Sequence, residues 1–351
     1  MLADVLTDWG FAVELQEAAA GRPNVIGRIG STPAENPRTL LLNGHLDTVG
    51  IEGMVHPPWE ATVHGGRIFG RGASDMKGGV AAMCAAAARA AALGLGGEVI
   101  VAAVTDEEFH SIGTQRLVES GIRAEAAIVT EPTRLAICPA HRGFAWLELV
   151  VHGKAAHGSR WDVGVDAIAL AALVIAELEH YQRELLATKS HPLLGRPSLH
   201  ASLVNGGIGL STYPDRCSVH FERRTIPGET PALFAREVEE ACARVREGRP
   251  ELRVDILPGF SQEPNDIGAE NPIVLALARA LECAHEPSRI EGLACWTDAA
   301  LLSAAGIPAV CFGPGDIAVA HAAEEYVPVH EIERATEVMT SLLCDWFRPA
   351  S

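Results

Sequence analysis

The stretch EVIVAAVTDEE, residues 98–108, runs an uninterrupted apolar segment directly into three consecutive carboxylates. An apolar run without polar alternation predicts a strand that is covered on both faces, as in an α/β sheet. Adjacent like charges repel, so Asp106, Glu107 and Glu108 are either solvated and idle or held by something strongly positive. The stretch therefore predicts an α/β fold with a polar cluster at the end of one strand.

Strands and helices alternate on both sides of this stretch. In the first part of the chain the pattern predicts strands at 24–29, 39–43, 98–105 and 126–130, with helices at 77–92 and 113–120. The last part repeats the style, with helices at 272–284, 298–305 and 330–347 and a strand at 308–312. We expect the two ends of the chain to share one domain.

The middle of the chain follows a different order. It predicts strands at 144–151, 199–205, 216–224 and 252–257, with helices at 164–186 and 231–247. This β-α-β-β-α-β order is the split βαβ, ferredoxin-like pattern, and about a hundred inserted residues suffice for a second domain. The predicted fold class is α/β: a larger α/β domain with a mixed central sheet, residues 1–142 and 260–351, interrupted by a smaller α+β domain at 143–259.

Composition and charge argue against several classes of partner. The chain has 351 residues and a formal net charge of −17, which disfavours nucleic acid and anionic membranes because both attract basic surfaces. Residues 79–97 are too weakly apolar to span a bilayer. The eight cysteines include no C-x-x-C pair and indicate buried thiols, with a disulfide framework as the minority alternative. The first residues do not resemble an export signal, so we expect a cytoplasmic protein.

Five short stretches at predicted strand ends, or in loops that leave strands, carry the residues expected of a site. They are LLLNGHLDTVG (40–50), GRIFGRGASDMKGG (66–79), AVTDEEFHSIG (103–113), AIVTEPT (127–133) and GPGDIAVAHAAEEYVP (313–328). Ligands of open α/β sheets usually bind outside the carboxyl ends of the strands. Together the stretches supply two histidines and at least three carboxylates, a mixed set suited to zinc, cobalt or manganese. More carboxylates than one tetrahedral ion needs suggest two ions.

Each of these residues has a simpler interpretation when it is taken alone. His45 and Asp47 could form an ordinary loop hydrogen bond, Asp75 could cap the helix that follows it, and a single His321 in an Ala-rich loop is usually structural. For all five stretches to be idle, however, five such coincidences are needed. We therefore favour a metal site.

The ordered motifs GHLDTV, GRGASDMKGG, TDEE, TEP and GPG…AHAAEEYV resemble the M20 metallopeptidase family. This family includes acetylornithine deacetylase, succinyl-diaminopimelate desuccinylase, aminoacylase and carboxypeptidase G, and the resemblance covers nearly the full chain. It implies a catalytic α/β domain interrupted by a smaller domain that dimerises and acts as a lid. We accordingly expect a homodimer.

The resemblance also implies the ligands of two divalent metal ions, expected to be zinc, with cobalt or manganese as alternatives. Asp75 would bridge the two ions. His45 and Glu131 would complete the ligands of one ion, and Glu108 and His321 those of the other.

Three neighbouring acids receive other predicted roles. By the same resemblance, Glu107 matches the general base and Asp47 the carboxylate that orients His45. For Asp106 we expect no more than a loop or cap hydrogen bond.

Three further residues match positions that contact substrate in the family. His157, in GKAAHGSRWDVGVDAI, matches a histidine that reaches into the neighbouring subunit's active site and stabilises the oxyanion; alone it would be taken for a solvated loop histidine. Arg224, in ERRTIPGE, matches an arginine that grips a substrate carboxylate, with a surface arginine on a strand as the alternative. Thr297, in CWTDA, could touch substrate.

The chain departs from the family pattern at three positions near these residues. Ser211 stands where many relatives have asparagine, Glu222 where the pattern expects aspartate, and Trp296 precedes Thr297 where others have glycine. Trp296 is therefore expected to reshape the pocket.

The expected function is that of a dinuclear metal-dependent hydrolase that removes the acyl group from a small, carboxylate-bearing amino-acid derivative. A dipeptidase or carboxypeptidase of the same family is the main alternative. A ligand-binding relative without catalysis is less favoured, because every matching position is filled.

Overall fold

The computed structural model describes residues 1–30, 38–184 and 186–348. Among these residues the chain divides into two compact units. The larger unit consists of Met1–Ala140, Asp266–Leu293 and Thr297–Ser351, and the smaller unit of His141–Asn265 and Ala294–Trp296. The smaller unit is thus largely an insertion in the sequence of the larger one.

The described residues form sixteen strands and eight α-helices. The strands are β1 (Ala12–Ala19), β2 (Arg22–Gly30), β3 (Thr39–His45), β4 (Thr62–His64), β5 (Arg67–Phe69), β6 (Glu98–Val104), β7 (Ala126–Val129), β8 (Ile137–His141), β9 (Gly143–His152), β10 (Ser198–Gly206), β11 (Arg216–Thr225), β12 (Arg253–Gln262), β13 (Asn265–Asp266), β14 (Ile290–Leu293), β15 (Ala309–Cys311) and β16 (Tyr326–Pro328). The helices are α1 (Leu2–Asp8), α2 (Gly78–Ala92), α3 (Ile112–Glu119), α4 (Ala167–Glu184), α5 (Pro231–Gly248), α6 (Pro272–Cys283), α7 (Ala299–Ala304) and α8 (Val329–Trp346).

The larger unit is built on a nine-stranded sheet. Its strands follow the order β1-β2-β6-β3-β7-β15-β8-β13, and β14 pairs with β8. The pairs β6–β3, β3–β7 and β7–β15 are parallel, whereas β1–β2, β2–β6 and β15–β8 are antiparallel. The predicted mixed central sheet is confirmed.

The central strands are buried on both faces, as their uninterrupted apolar sequences predict. Leu40–Leu42 of β3 and Val99–Val104 of β6 are all buried. Apolar residues of α2, α6 and α8 complete the same core. Burial on both faces explains why these strands do not alternate between apolar and polar residues.

Parallel pairing brings the polar stretches to one edge of this sheet. His45 ends β3, the carboxylate triplet follows β6, and Glu131 follows β7. A close approach between Gly79 and Thr130 brings the start of α2 to the same edge: a Cβ at Gly79 would lie only 2.0 Å from the Thr130 carbonyl oxygen. Only glycine therefore permits this packing.

The smaller unit contains a four-stranded antiparallel sheet in the order β10-β11-β9-β12. Helices α4 and α5 pack on one face of this sheet, around a core that includes Leu149, Val174, Phe221 and Val238. The chain order β9-α4-β10-β11-α5-β12 confirms the predicted split βαβ arrangement.

In the described part of the chain, we find no helix whose length and apolar character would let it cross a membrane.

Candidate metal centre

The first ligand candidate, His45, is presented at the end of a buried strand. Its Nε2 donates to Asp75 Oδ1 at 2.9 Å, and its Nδ1 donates to the backbone carbonyl of Asp47 at 3.0 Å. The Asp47 carboxylate is 3.8 Å from Nδ1 and instead accepts the backbone N–H groups of Glu107 and Glu108, each at 3.2 Å. Asp47 therefore contacts the ring through its backbone, which differs from the predicted contact, while its carboxylate fixes the loop that carries Glu107 and Glu108.

Asp75 lies between the two histidines. Its Oδ1 faces His45, and its Oδ2 lies 3.3 Å from His321 Nε2. The side chain caps no helix: α2 begins at Gly78 after Lys77, without a side-chain capping bond. The two oxygens of one buried carboxylate thus face two different sets of partners.

Two groups of ligand atoms share Asp75. His45, Asp75 and Glu131 form the inner group, and Asp75, Glu108 and His321 form the outer group; within each group one ligand atom per residue lies within 4.8 Å of the others. His321 Nε2 is 3.2 Å from Glu108 Oε1 and 3.1 Å from Oε2. The structure brings together all five predicted metal ligands.

The inner group is electrostatically unfavourable without a cation. Burial, together with the charges of nearby carboxylates such as Asp75, raises the pKa of Glu131 well above its usual value. Glu107, whose Oε2 lies 3.9 Å from His45 Nε2, has its pKa raised by burial and by the charge of Glu131, against the opposing charge of His45. These acids lie close together, and a divalent cation would neutralise their negative charge.

Nearby carboxylates raise the pKa values of both histidines. Burial disfavours a charged His45, yet the hydrogen bond to Asp75 and the charges of Glu107 and Glu131 raise its pKa well above its usual value. Hydrogen bonds to Asp75 and Glu108 raise the pKa of His321 to about 10. Each ring is therefore surrounded by negative charge.

Glu325 was not singled out from the sequence, and it organises the turn that carries Asp75. Its carboxylate is buried and accepts backbone N–H bonds from Gly72 (3.0 Å), Ser74 (3.0 Å) and Asp75 (3.1 Å). Arg71 Nη1 forms an ion pair with it at 2.7 Å. The motif around His321 does contain an acid pair, but sequence alone does not separate buried Glu325 from its exposed neighbour Glu324.

Asp298 is a second buried acid that sequence reasoning missed. Its Oδ2 accepts the Thr114 hydroxyl at 2.6 Å, and Thr114 also lies 3.4 Å from the Asn43 amide nitrogen. Burial raises the pKa of Asp298 to about 6, against the opposing hydrogen bond from Thr114 and the charge of His45. Asp298 thus ties α7 to α3 and β3 close behind the inner group.

Asp106 is separated from its two neighbours in the triplet. Its Oδ1 forms an ion pair with Arg22 Nη1 at 2.6 Å, and its Oδ2 accepts the His110 backbone N–H at 3.3 Å. The expected loop hydrogen bond is therefore present, together with an ion pair that the sequence did not predict.

The remaining predicted residues have different surroundings. His157 lies on an exposed loop of the smaller unit, and its Nδ1 accepts the hydroxyl (2.8 Å) and the backbone N–H (3.2 Å) of Ser159. Thr297 is buried: its hydroxyl oxygen accepts the Ala299 N–H at 3.2 Å and lies 3.3 Å from Cys311 Sγ. The roles of His157 and Thr297 stay predictions.

Arg224 and the departures Glu222 and Trp296 lie in the smaller unit. Arg224 Nε contacts Glu222 Oε1 at 2.8 Å, so the substituted carboxylate keeps an ion pair with the arginine. The Trp296 indole N–H donates to the Glu263 carbonyl at 3.0 Å.

Two ligand groups that share one carboxylate are typical of the sites of two-metal hydrolases. Residues 41–345 match the model of peptidase family M20/M25/M40. The chain therefore belongs to this family, which confirms the family and the class of enzyme predicted from the ordered motifs.

Individual relatives agree with this assignment. The chain is 29% identical to N-formyl-4-amino-5-aminomethyl-2-methylpyrimidine deformylase from Bacillus subtilis (strain 168), covering 98% of this chain and 88% of that protein. It is 31% identical to acetylornithine deacetylase from Myxococcus xanthus, covering 94% of this chain and 87% of that protein.

Solved structures share the fold. Aminopeptidase PepT from Bacillus cereus ATCC 10987 matches with a TM-score of 0.82 and 21% identity, over 98% of this chain and 91% of that chain. A dinuclear metal-binding peptidase of the M20 family from Bacillus subtilis matches with a TM-score of 0.75 and 16% identity, over 99% of this chain and 92% of that chain.

Proposed function

We propose that this chain is a two-metal hydrolase that removes the acyl group from a small, carboxylate-bearing N-acyl amino acid or a related derivative. The observation that carries the proposal is the position of Asp75, whose two oxygens face His45 and His321 in two separate ligand groups. A carboxylate that bridges two ions in this way is a recurrent feature of two-metal sites.

The residues present fit two divalent ions. Each group offers one imidazole and two carboxylates, a donor set suited to zinc, cobalt or manganese. The buried carboxylates of the inner group repel one another in the absence of a cation, and this repulsion would be relieved by bound metal. We expect His45, Asp75 and Glu131 to hold one ion, and Asp75, Glu108 and His321 the other.

The protein's own residues supply the proton transfers. When bound, two divalent ions would lower the pKa of a water molecule and polarise the amide carbonyl. Glu107, held in its loop by Asp47 and outside both ligand groups, takes a proton from the attacking water. As the C–N bond breaks, Glu107 passes that proton to the leaving nitrogen, and the acyl group departs as a carboxylic acid.

Deacylation is preferred over peptide cleavage because of the two relatives at about 30% identity. Their names, a deformylase and a deacetylase, both describe removal of an acyl group. Hydrolysis of N-formyl and N-acetyl amino acids, but not of unmodified dipeptides, is the expected result. The opposite preference would favour the dipeptidase or carboxypeptidase alternative.

Replacement of the proposed base tests the mechanism. We expect Glu107→Gln to keep about two metal ions per chain, measured by elemental analysis, and to lose turnover by about 10²–10⁴-fold. The matched control is Glu119→Gln, an exposed acid on α3. Undiminished turnover of Glu107→Gln would contradict the assigned base.

We further propose a cytoplasmic homodimer that pairs through the smaller unit. Strand β10 is an edge strand of its sheet and exposes Leu203 and Val204, a surface suited to pairing with a second copy. Light scattering of Leu203→Lys, expected to be monomeric, tests this surface. Five of the eight cysteines are buried, as is usual for cysteines of a reducing compartment, and this supports the cytoplasmic assignment.

A further inference from the structure

The outer face of the four-stranded sheet carries an unusual set of side chains. Ala145 and Leu147 of β9 and Phe221 of β11 point into the core beneath α4 and α5. Because neighbouring residues of a strand point to opposite faces, Phe144 and Trp146 point away from the helices. Across the ladder, Phe144 pairs with Arg224 and Trp146 pairs with Glu222.

Three aromatic rings on this face form an aromatic patch, which consists of Phe144, Trp146 and Phe260. The ring centroids are 5.3 Å apart for Phe144 and Trp146, 5.8 Å for Phe144 and Phe260, and 6.1 Å for Trp146 and Phe260. Trp146 is 50% exposed. The patch thus offers a wide apolar and aromatic surface, of a kind that commonly marks a binding site.

A cation lies at the edge of the aromatic patch. The Arg224 guanidinium carbon is 5.7 Å from the Phe144 ring centroid. The Glu222 ion pair engages Arg224 through Nε, at 2.8 Å, and so holds one edge of the guanidinium group in place. The Nη edge is the part of the fork that can bind a planar anion in a bidentate manner.

A second arginine adds positive charge to the same place. Burial, together with the positive charge of Arg224, lowers the pKa of Arg142. Arg142 Nη2 donates to the Leu194 carbonyl, which fixes the position of this guanidinium group. A bound anion would offset the repulsion between these two positive charges.

We propose that the aromatic patch and Arg224 together bind an aromatic ring carrying a carboxylate, and that the substrate is an N-acyl aromatic amino acid. This inference rests on the proposed function and on the role predicted for Arg224 from the sequence, that of holding the substrate carboxylate. In such a substrate one methylene separates the ring from the carbon that bears the carboxylate. That short separation matches the contact between the Arg224 guanidinium group and the Phe144 ring.

Binding of carboxylates that cannot be hydrolysed tests the inference without catalysis. The full chain, loaded with zinc, is titrated with 3-phenylpropionate, 3-cyclohexylpropionate and hexanoate, and affinity is measured by ligand-observed NMR. We expect 3-phenylpropionate to bind best and Trp146→Ala to weaken it about tenfold, with little change for hexanoate. Arg224→Gln is expected to weaken all three acids.

A control substitution at another exposed tryptophan and a measurement of oligomeric mass complete this experiment. Trp161→Ala removes an exposed tryptophan outside the aromatic patch and should leave the binding of all three acids unchanged. Equal affinity for the aromatic and cyclohexyl acids, or unchanged binding in Trp146→Ala, would overturn the inference. A change of oligomeric mass in Trp146→Ala would also overturn it, because a second copy of the chain would then cover the patch.

Turnover separates this inference from the proposed function. We expect kcat/KM for N-acetylphenylalanine to exceed that for N-acetylnorleucine, and Trp146→Ala to reduce the ratio about tenfold. If the wild-type enzyme hydrolyses neither compound but 3-phenylpropionate binds through Trp146, the proposed function fails and the aromatic site stands. If both are hydrolysed and Trp146→Ala leaves the ratio unchanged, the function stands and the aromatic site fails.

Discussion

The inner and outer groups share Asp75 and have the same ligand chemistry, yet they differ in exposure. His45 of the inner group is 1% exposed, whereas His321 of the outer group is 51% exposed. A buried ligand is held in place by packing and is shielded from water, while an exposed loop ligand moves more freely. We therefore expect the inner group to bind its ion more tightly, and the outer group to exchange its ion with solvent.

Removal of the carboxylate that both groups share should prevent metal binding at both of them. We expect Asp75→Asn to lose both ions and at least about 10³-fold in turnover, because each group then has one anionic ligand fewer. Metal content and kcat are the measurements. Retention of two tightly bound ions by this variant would show that Asp75 is not a shared ligand.

Separate removal of the two histidines should reveal which group binds more tightly. We expect His321→Ala to keep about one ion through prolonged dialysis against a chelator, and His45→Ala to lose its tightly bound ion. Both variants should lose most of their turnover. If His321→Ala is instead the variant that loses the tightly bound ion, burial does not set the order of affinity.

The contacts of Glu325 predict that it supports both groups equally. An amide in place of its carboxylate would point an N–H at backbone donors and would remove the charge that faces Arg71. Glu325→Gln should therefore weaken metal binding at both groups by about 10–100-fold, as measured by chelator competition.

The adjacent residue provides the control for this substitution. Glu324→Gln changes a carboxylate that is largely exposed, so both affinities should stay the same. Weaker binding at only one group in Glu325→Gln would argue against a common support for Asp75.

The pH dependence of metal binding should also differ between the groups. In the metal-free protein the raised pKa values of His45 and His321 keep both rings protonated at pH 7, so metal must displace these protons. Affinity should therefore rise with pH at both groups, by about tenfold per pH unit for each displaced proton.

The inner group should show the steeper rise. Burial and nearby carboxylates raise the pKa of Glu131, and the pKa of His45 is raised as well, so the inner group has two ligands that favour their protonated forms. In the outer group, hydrogen bonds to Asp75 and Glu108 raise the pKa of His321. Chelator competition at pH 6, 7 and 8 measures both slopes. A steeper slope for the outer group would contradict this account.

The central part of the fold could be predicted because strands that are buried on both faces have uninterrupted apolar sequences. Predicted strands 39–43 and 98–105 correspond to β3 and β6. Strand β1 was missed because AVELQEAA is a partly exposed edge strand in which acids interrupt the apolar residues. The three-residue strands β4, β5 and β16 are too short for any periodicity to be recognised.

The ligand candidates could be predicted because each lies in a stretch with a recognisable composition. The support around them could not be predicted in the same way. Glu324 and Glu325 are chemically identical neighbours, and only the folded chain buries one of them against the turn at Asp75. Similarly, the Asp47 carboxylate accepts the backbone N–H of Glu107. A bond to the backbone does not depend on the type of side chain, so the sequence does not reveal it.

The position of Glu325 in the chain has a consequence for synthesis. All inner-group residues lie within the first 131 residues, but the carboxylate that holds the turn at Asp75 emerges from the ribosome almost two hundred residues after Glu131. His321, four residues before Glu325, belongs to the same late segment. A chain that stops at residue 312 would therefore carry four of the five ligand candidates and still lack both the last ligand and the support for the shared one. We therefore expect metal loading to depend on completion of the chain.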